Sequence, residues 1–314
     1  MLDEPDVKVV SAMACEVLAD VAQITRFPTG LRHFVFEATS SLGRPVVVRA
    51  SRREDVGIVE NSLYWSAQLR PRGVPLPEVL HADTAMARHA FPFVILERLP
   101  GRDLHLVLEE LAGNDRRHLV DRLCEVQSIV TGLPLGQGYG FTPRLEGPFP
   151  DATWADSVSR SLARSRQRIC DAKIVSEEHA DRVEAAAERF AAYFATVQPV
   201  PFLHDITTKN VIVQEARLSG IVDVDDLCFG DPLFLVGLIR VALLAHGRSP
   251  AYADAWLDVL RPDKDQREAL DFYVALFCLN FMSELGQRFN RARPAPVEQA
   301  YLDRLSDLLD EHLS

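Results

Sequence analysis

The sequence separates into a strand-rich beginning and a helix-rich remainder, and this asymmetry limits the possible folds more than any other feature. Before residue 100 most apolar patterns are short and β-prone, whereas after Gly101 they recur with the spacing of amphipathic helices. A run of strands followed by a run of helices is typical of α+β proteins. Because 314 residues exceed one typical core, we predict two lobes, residues 1–100 and 101–314.

Local patterns place the main elements of both lobes. Two β-prone segments joined by Ser-Leu-Gly predict a hairpin, and a cluster of prolines predicts the end of the helix that follows it. In the first lobe we expect strands at 34–39, 44–50 and 91–96 and a helix at 56–69. In the second lobe we expect helices at 104–133, 154–170, 176–197 and beyond Pro232, with strand-like pieces within 202–223.

The segment 202–232 carries the residues best suited to chemistry. Two apolar strands, 211–213 and 220–222, flank a polar turn, which predicts a hairpin. Asp205 and Asn210 precede the first strand and Asp223 ends the second, so the hairpin brings Asp223 back towards Asn210. Hard oxygen ligands suit Mg²⁺, and a further carboxylate nearby can accept a hydroxyl proton. Each residue alone is typical of a turn, but the complete set at this spacing favours phosphoryl transfer.

This segment resembles the aminoglycoside phosphotransferase and choline kinase-like family of small-molecule kinases. The resemblance is carried by Asp205-x-x-x-x-Asn210, the hairpin, Val222-Asp223-Val224-Asp225-Asp226 and Gly230-Asp231-Pro232. It implies a bilobal protein-kinase-like fold, with a nucleotide-binding N-terminal lobe and a C-terminal lobe that holds the catalytic and acceptor sites. It also implies Asp205 as the catalytic base, Asn210 and Asp223 as Mg²⁺ ligands, and ATP or another nucleoside triphosphate as the phosphate donor.

The resemblance extends to the first lobe. Arg49 falls where the family places its phosphate-binding Lys or Arg, and Glu60 falls where the partner glutamate of that residue lies. An arginine there offers phosphate a bidentate fork. The backbone from Glu97 to Leu99 corresponds to the hinge that holds adenine. Gly30 is the one glycine of the candidate phosphate loop, where close backbone approach favours glycine.

Three departures from the family pattern leave a second reading open. His204 lies immediately before Asp205 instead of two residues before it, Val224 stands where tryptophan is usual, and the phosphate loop has only Gly30. The shifted histidine and the single glycine favour a pseudokinase-like nucleotide-binding module, whereas the retained aspartates and asparagine favour an enzyme; Val224 affects packing and not the chemistry. Protein-kinase activity is disfavoured because no Ala-Pro-Glu segment follows the metal aspartate.

Composition and charge limit the kinds of molecule that the protein is expected to bind. The net charge of −11 is concentrated in residues 101–314, with 23 basic and 33 acidic side chains, which argues against nucleic acid. This charge suits a cationic acceptor such as an aminoglycoside, and it equally suits ordinary solubility. The longest apolar stretch, 233–245, contains Arg240 and is too short to span a bilayer, so we expect no membrane partner. The acidic N-terminus lacks a signal-peptide pattern, so we expect a cytoplasmic protein. Scattered cysteines predict reduced thiols. The predicted partner is a small-molecule acceptor, and the oligomeric state stays open.

Overall fold

The computed structural model describes residues 4–27, 32–289 and 293–313. Its small lobe is a five-stranded antiparallel sheet with the order β1-β2-β3-β5-β4. One helix lies on this sheet and another connects β3 to β4. The elements are α1 (Val7–Ala14), β1 (Gln23–Arg26), β2 (Phe34–Thr39), β3 (Pro45–Ala50), α2 (Val56–Leu69), β4 (Val79–Asp83) and β5 (Phe93–Glu97).

The predicted hairpin and helix of this lobe are confirmed. Strands β2 and β3 pair in register with Phe36 opposite Val48, and alternate residues of β2 are buried, as period-2 patterning requires. The buried face joins Val10 and Met13 of α1 and Ile95 of β5 in one core. The sheet therefore holds β3, and with it Arg49, in a fixed position above the second lobe.

The larger lobe is mainly helical and is organised around one long buried helix. Its elements are β6 (Arg102–Asp103), α3 (Leu104–Val107), α4 (Gly113–Thr131), β7 (Gly140–Thr142), α5 (Trp154–Ala172), α6 (Glu178–Arg189), α7 (Ala191–Phe194), β8 (Val200–Phe202), β9 (Val211–Gln214), β10 (Arg217–Ile221), β11 (Leu227–Gly230), α8 (Leu233–Leu244), α9 (Ala251–Leu260), α10 (Lys264–Glu284) and α11 (Gln299–Leu313). Helix α10 is buried on nearly all sides and packs against α5, α8 and α11.

Two of the predicted helices are each divided in the structure. The helix expected over 104–133 forms α3 and α4, and the helix expected over 176–197 forms α6 and α7. Helix α3 contacts the loop between Asp205 and Asn210, because the His105 N–H donates to the Thr208 carbonyl at 2.8 Å. Among the described helices, none is both long enough and apolar enough to cross a bilayer.

A hairpin and a glycine position the connection between the lobes. Strands β9 and β10 pair through a tight turn at Glu215 and Ala216, both with positive φ, and β9 also pairs with β6. Gly101 ends the connection at φ +109°, where a Cβ would lie 2.1 Å from the Val213 carbonyl oxygen. Only glycine fits this approach. The lobe boundary that we predict lies in this connection and stays a prediction.

Candidate active site

The β9–β10 hairpin brings together the three residues that the sequence singled out. The Asn210 side-chain Nδ2 donates to the Asp205 carbonyl at 2.9 Å, and the Val222 N–H donates to the Asn210 carbonyl at 2.9 Å. The second bond places Asp223, the next residue, beside the loop that carries Asp205. Asp205, Asn210 and Asp223 therefore line one site, as the spacing predicts.

Asp223 has an uncommon backbone conformation. Its φ is +66°, in the left-handed region that non-glycine residues seldom occupy. Such conformations cost about 1–3 kcal/mol and persist where the surrounding structure imposes them, often at functional sites. The strain turns the chain sharply after β10, and it leaves the Asp223 side chain 48% exposed.

The donor atoms of Asn210 and Asp223 fit a magnesium ion. Because the Asn210 Nδ2 is bonded to the Asp205 carbonyl, its Oδ1 is the atom left to accept or to bind a cation. The half-exposed Asp223 carboxylate supplies a second hard oxygen ligand. Mg²⁺ typically binds one or two carboxylates and completes its shell with water and substrate phosphates. These two residues are thus suited to hold the predicted metal.

The Asp205 carboxyl lies at the surface of the site and has a raised pKa. Its carboxyl reaches solvent in the cleft but has protein on its other sides, and the Thr207 hydroxyl donates to Oδ1 at 3.1 Å. Desolvation and the Asp223 carboxylate raise the pKa of Asp205 to about 6, against hydrogen bonds that lower it. A carboxyl with this pKa is ionised at neutral pH and is still basic enough to take a proton.

In the metal-free protein, we expect the Asp205 carboxyl to titrate near pH 6. Since its pKa is raised, the group is protonated below that pH and serves as a base only above it. Asp223→Asn is expected to lower the pKa of Asp205, because it removes the neighbouring negative charge. Carbon-13 NMR of the side-chain carboxyls measures this, with the signal assigned from Asp205→Asn. A wild-type pKa near the ordinary 3.8 would contradict the expectation.

Arg49 lies at the centre of the interface between the lobes. Its side chain is only 8% exposed, and its Nη2 bonds to both Asp223 and Asp225, the latter at 2.6 Å. Burial opposes the charge of the guanidinium, but the two carboxylates outweigh it and raise the pKa of Arg49. Arg49 therefore stays charged while it links β3 to the segment after β10.

The structure does not bring Glu60 to Arg49, which corrects the pairing expected from the family pattern. Glu60 is exposed on α2, whereas the neighbouring Val59 is buried, because successive residues of a helix differ by about 100° in direction. The residues of α2 that line the cavity of about 30 Å³ beside Arg49 are instead Ser62, Leu63 and Ser66. The negative partners of Arg49 come from the second lobe.

Asp225 and His33 are functional candidates that the sequence did not identify as a pair. His33 Nε2 lies 2.9 Å from Asp225 Oδ2, and His33 Nδ1 contacts the Ser51 hydroxyl. Burial works against ionisation of Asp225, but Arg49 and His33 hold the pKa of that carboxyl well below its usual range. The only sequence feature that pointed to this contact was the acidic pair Asp225-Asp226, shortly after Asp223. No local pattern singled out His33.

The same cluster has the composition of a metal site, but an arginine already supplies its positive charge. His33, Asp223 and Asp225 offer ligand atoms within 4.8 Å of one another. Arg49 bonds to both carboxylates. The cluster therefore joins the two lobes through a cationic side chain.

The predicted hinge residues lie at the end of β5. The Glu97 N–H donates to the Glu78 carbonyl at 2.8 Å, and the Glu97 carboxylate accepts from the Glu78 N–H. Leu99 is 8% exposed, and its side chain covers Gly220 of β10. Among the described residues the Leu99 N–H has no hydrogen-bond acceptor. Gly30, the predicted phosphate-loop glycine, lies outside the described residues.

His204 packs instead of taking part in the chemistry. Its ring contacts Phe141, Phe234 and Phe277 at centroid distances of 4.8, 5.4 and 5.9 Å. Burial, with the charges of nearby arginines, lowers the pKa of His204 to about 3, so the ring is neutral. His204 thus packs as a neutral ring among these three phenylalanines, directly before Asp205.

Asp231 is structural, as the sequence suggests. Its Oδ1 accepts from the Leu233 N–H at 3.0 Å, at the start of α8. Its Oδ2 accepts from the hydroxyls of Tyr193 and Tyr273. These bonds fix the end of β11 against the core of the larger lobe.

Comparison with known proteins identifies a family whose model matches this sequence and solved structures with a similar fold. The model of the phosphotransferase enzyme family matches residues 23–272. No curated protein matches the sequence. Aminoglycoside phosphotransferase APH(4)-Ia, solved as a thermostable mutant with ADP and hygromycin B, is 18% identical, with 96% of this chain and 98% of that chain covered and a TM-score of 0.66.

Two further solved structures are similar over nearly their whole lengths. Aminoglycoside phosphotransferase APH(2'')-Ib bound to ADP is 13% identical, with 98% of each chain covered and a TM-score of 0.65. The GDP complex of aminoglycoside 2'-phosphotransferase-IIIa is 12% identical, with 98% of this chain and 97% of that chain covered and a TM-score of 0.67. At these identities the likeness establishes a shared fold, and the predicted bilobal α+β class is confirmed.

Proposed function

The chain belongs to the phosphotransferase enzyme family, and from that premise we propose that it transfers the γ-phosphoryl group of ATP to a hydroxyl of a small molecule with Mg²⁺. Membership confirms the family resemblance and the predicted class of enzyme. The observation that carries the specific proposal is the convergence of Asp205, Asn210, Asp223 and Arg49 on one cleft between the lobes.

Each of these residues has a role that follows from its position. Asp205 accepts the proton of the acceptor hydroxyl, and Thr207 orients its carboxylate. Asn210 and Asp223 would hold Mg²⁺, which when bound neutralises charge on the phosphates. Arg49 offers a bidentate fork to phosphate, and Asp225, which bonds to the Arg49 Nη2, keeps the guanidinium charged and in place.

The proposal of a nucleoside triphosphate donor rests on the hinge, Glu97 to Leu99. Leu99 presents an N–H without an acceptor among the described residues, at the end of β5 and next to the cleft. A purine ring edge is a matching acceptor for such a group. The similar solved structures bind ADP in two cases and GDP in the third, so the proposal names ATP first and another nucleoside triphosphate second.

Mg²⁺-dependent ADP formation with a panel of acceptors tests the proposal. The panel should contain aminoglycosides, because hygromycin B is bound in one of the similar structures, together with macrolides, amino alcohols, sugars and hydroxy acids. We expect turnover with at least one class, and we expect it to require Asp205. Mg²⁺-dependent nucleotide binding without turnover across the panel would favour the pseudokinase-like alternative.

Asp223→Ala is expected to weaken the binding of Mg²⁺·ADP at least tenfold, or about 1.4 kcal/mol. The reason is the loss of one of two protein ligands to the metal. Binding of ADP without Mg²⁺ should change less, because only the metal-dependent part of the affinity is removed. Titration calorimetry with and without Mg²⁺ measures both. Asp226→Ala is the matched control, since Asp226 lies three residues on and bonds to Asn61 instead. Equal losses in both variants would count against Asp223 as the ligand.

A further inference from the structure

We propose that the acceptor carries an anionic group, a carboxylate or a phosphate monoester, that binds Arg164, Arg168 and Lys209 beside the catalytic loop. This inference rests on the proposed function, because it concerns the acceptor of the same site. It reverses the expectation from overall composition, which favoured a cationic acceptor.

Helices α5 and α10 lie side by side and run in the same direction. The Trp154 Nε1 at the start of α5 donates to the Tyr273 hydroxyl in the middle of α10 at 2.7 Å. Further along, the Ser165 hydroxyl donates to the Asn280 Oδ1 at 2.7 Å. One turn beyond these contacts come Arg168 on α5 and Glu284 on α10, so these ends of the helices adjoin.

The adjoining ends reach the catalytic loop. The rings of Phe277 on α10 and His204 in the loop are 5.9 Å apart, which seats the loop on α10. Glu284 is close enough to Asp205 and Lys209 for their charges to influence it. Arg164 likewise influences His204, the neighbour of the catalytic base. The end of α5 therefore forms a wall of the space in front of Asp205.

The cations of this wall lack acidic partners, unlike other arginines of the same helix. Arg160 bonds to Asp151 at 2.6 Å, and Arg166 bonds to Asp181 and Glu184. Within the described residues, no carboxylate oxygen lies within 4.0 Å of the basic groups of the three proposed residues, Arg164, Arg168 and Lys209. Arg164 contacts only the Ser161 hydroxyl, at 3.4 Å, and the Arg168 guanidinium lies over the Phe289 ring at 5.9 Å.

The local charge balance therefore has the opposite sign to that of the whole chain. Arg164, Arg168 and Lys209 all act on the Glu284 carboxylate, whose pKa is raised by burial. Asp205 is the other carboxylate that acts on Glu284, so three cations face two carboxylates at this place. Burial and the charges of Arg168 and Arg32 lower the pKa of Arg164, against the charge of Glu284, so Arg164 and Arg168 are held close together against their repulsion. An acceptor with its own negative group relieves that repulsion, and two arginines one turn apart offer it bidentate hydrogen bonds. A polycationic acceptor would add to the repulsion.

The test measures binding to enzyme saturated with Mg²⁺ and AMP-PNP, so that the donor phosphate positions are filled. The probes are gluconate, glucose 6-phosphate, glucose and glucosamine, which share hydroxyls and differ in charge. We expect each anionic probe to bind at least tenfold more tightly than glucosamine. Arg164→Gln and Arg168→Gln should abolish that preference, whereas Arg166→Gln, on the same helix but already paired with acids, should keep it.

Several outcomes overturn the proposal. They are equal or tighter binding of glucosamine, no binding of either anionic probe, and a preference that survives in both Arg164→Gln and Arg168→Gln. Weaker AMP-PNP binding in these two variants would assign the cations to the donor nucleotide instead. Mg²⁺-dependent ADP formation with the acceptor panel, measured in parallel in wild type and Asp205→Asn, tests the phosphotransferase function separately. If ADP formation is present without the anion preference, only this inference fails. If the preference is present but no acceptor of the panel supports ADP formation, the proposed function fails.

Discussion

Asp205→Asn is expected to lower the rate of ADP formation about a hundredfold to ten-thousandfold, the contribution usual for a positioned general base. Asparagine keeps the size of the side chain and an oxygen for the Thr207 hydroxyl, so the loop should retain its shape. What it loses is the ability to take a proton from the acceptor hydroxyl. The affinity for Mg²⁺·ATP should change little, because Asp205 is not proposed as a metal ligand.

Rapid-mixing measurements of a single turnover, together with nucleotide titrations, separate these two effects. Lys209→Gln is a useful companion, because Lys209 lies on the same loop and is expected to affect acceptor binding more than the rate at saturation. An unchanged rate in Asp205→Asn would remove Asp205 from the role of base. A large loss of nucleotide affinity would instead mean that Asp205 helps to hold the metal.

The part of the site that sequence could predict is the part determined by local register. Asp205, Asn210 and Asp223 lie within one loop and one hairpin, and period-2 patterning fixes where the second strand returns. The hydrogen bond from Val222 N–H to the Asn210 carbonyl is the expected consequence. The β2–β3 hairpin and α2 were predictable for the same reason.

The remainder depends on helix rotation and on contacts between distant residues. A rotation of one residue decides whether Val59 or Glu60 faces the core, and the family pattern alone favoured the wrong pairing for Glu60. His33 and Asp225 are 192 residues apart, so no local pattern connects them. The opposite sign of local and overall charge near Arg164 likewise follows only from the packing of α5 on α10.

Asp225→Asn is expected to raise the KM for Mg²⁺·ATP at least tenfold and to lower the free energy of unfolding by about 3–5 kcal/mol. Asp225 is buried, bonds to Arg49 at 2.6 Å and accepts from His33 at 2.9 Å. Asparagine keeps the shape but removes the charge, which leaves Asp223 as the one acidic partner of the buried guanidinium among the residues that the structure describes. Asp223 then has to serve both Arg49 and the metal, so nucleotide binding weakens.

Glu60→Gln is the matched comparison, because the family pattern assigns to Glu60 the role that the structure gives to Asp225. Glu60 is exposed and does not contact Arg49, so the change should leave the free energy of unfolding within about 0.5 kcal/mol and the KM for Mg²⁺·ATP unchanged. Denaturant unfolding and initial rates measure both quantities, and Asp225→Glu tests whether a retained charge rescues nucleotide binding. If Glu60→Gln raised KM while Asp225→Asn did not, Arg49 would have to leave Asp225 for Glu60 when nucleotide binds. The opposite result means that Arg49 keeps its second-lobe partner through the reaction, and that closing of the cleft depends on a charge contact between the lobes.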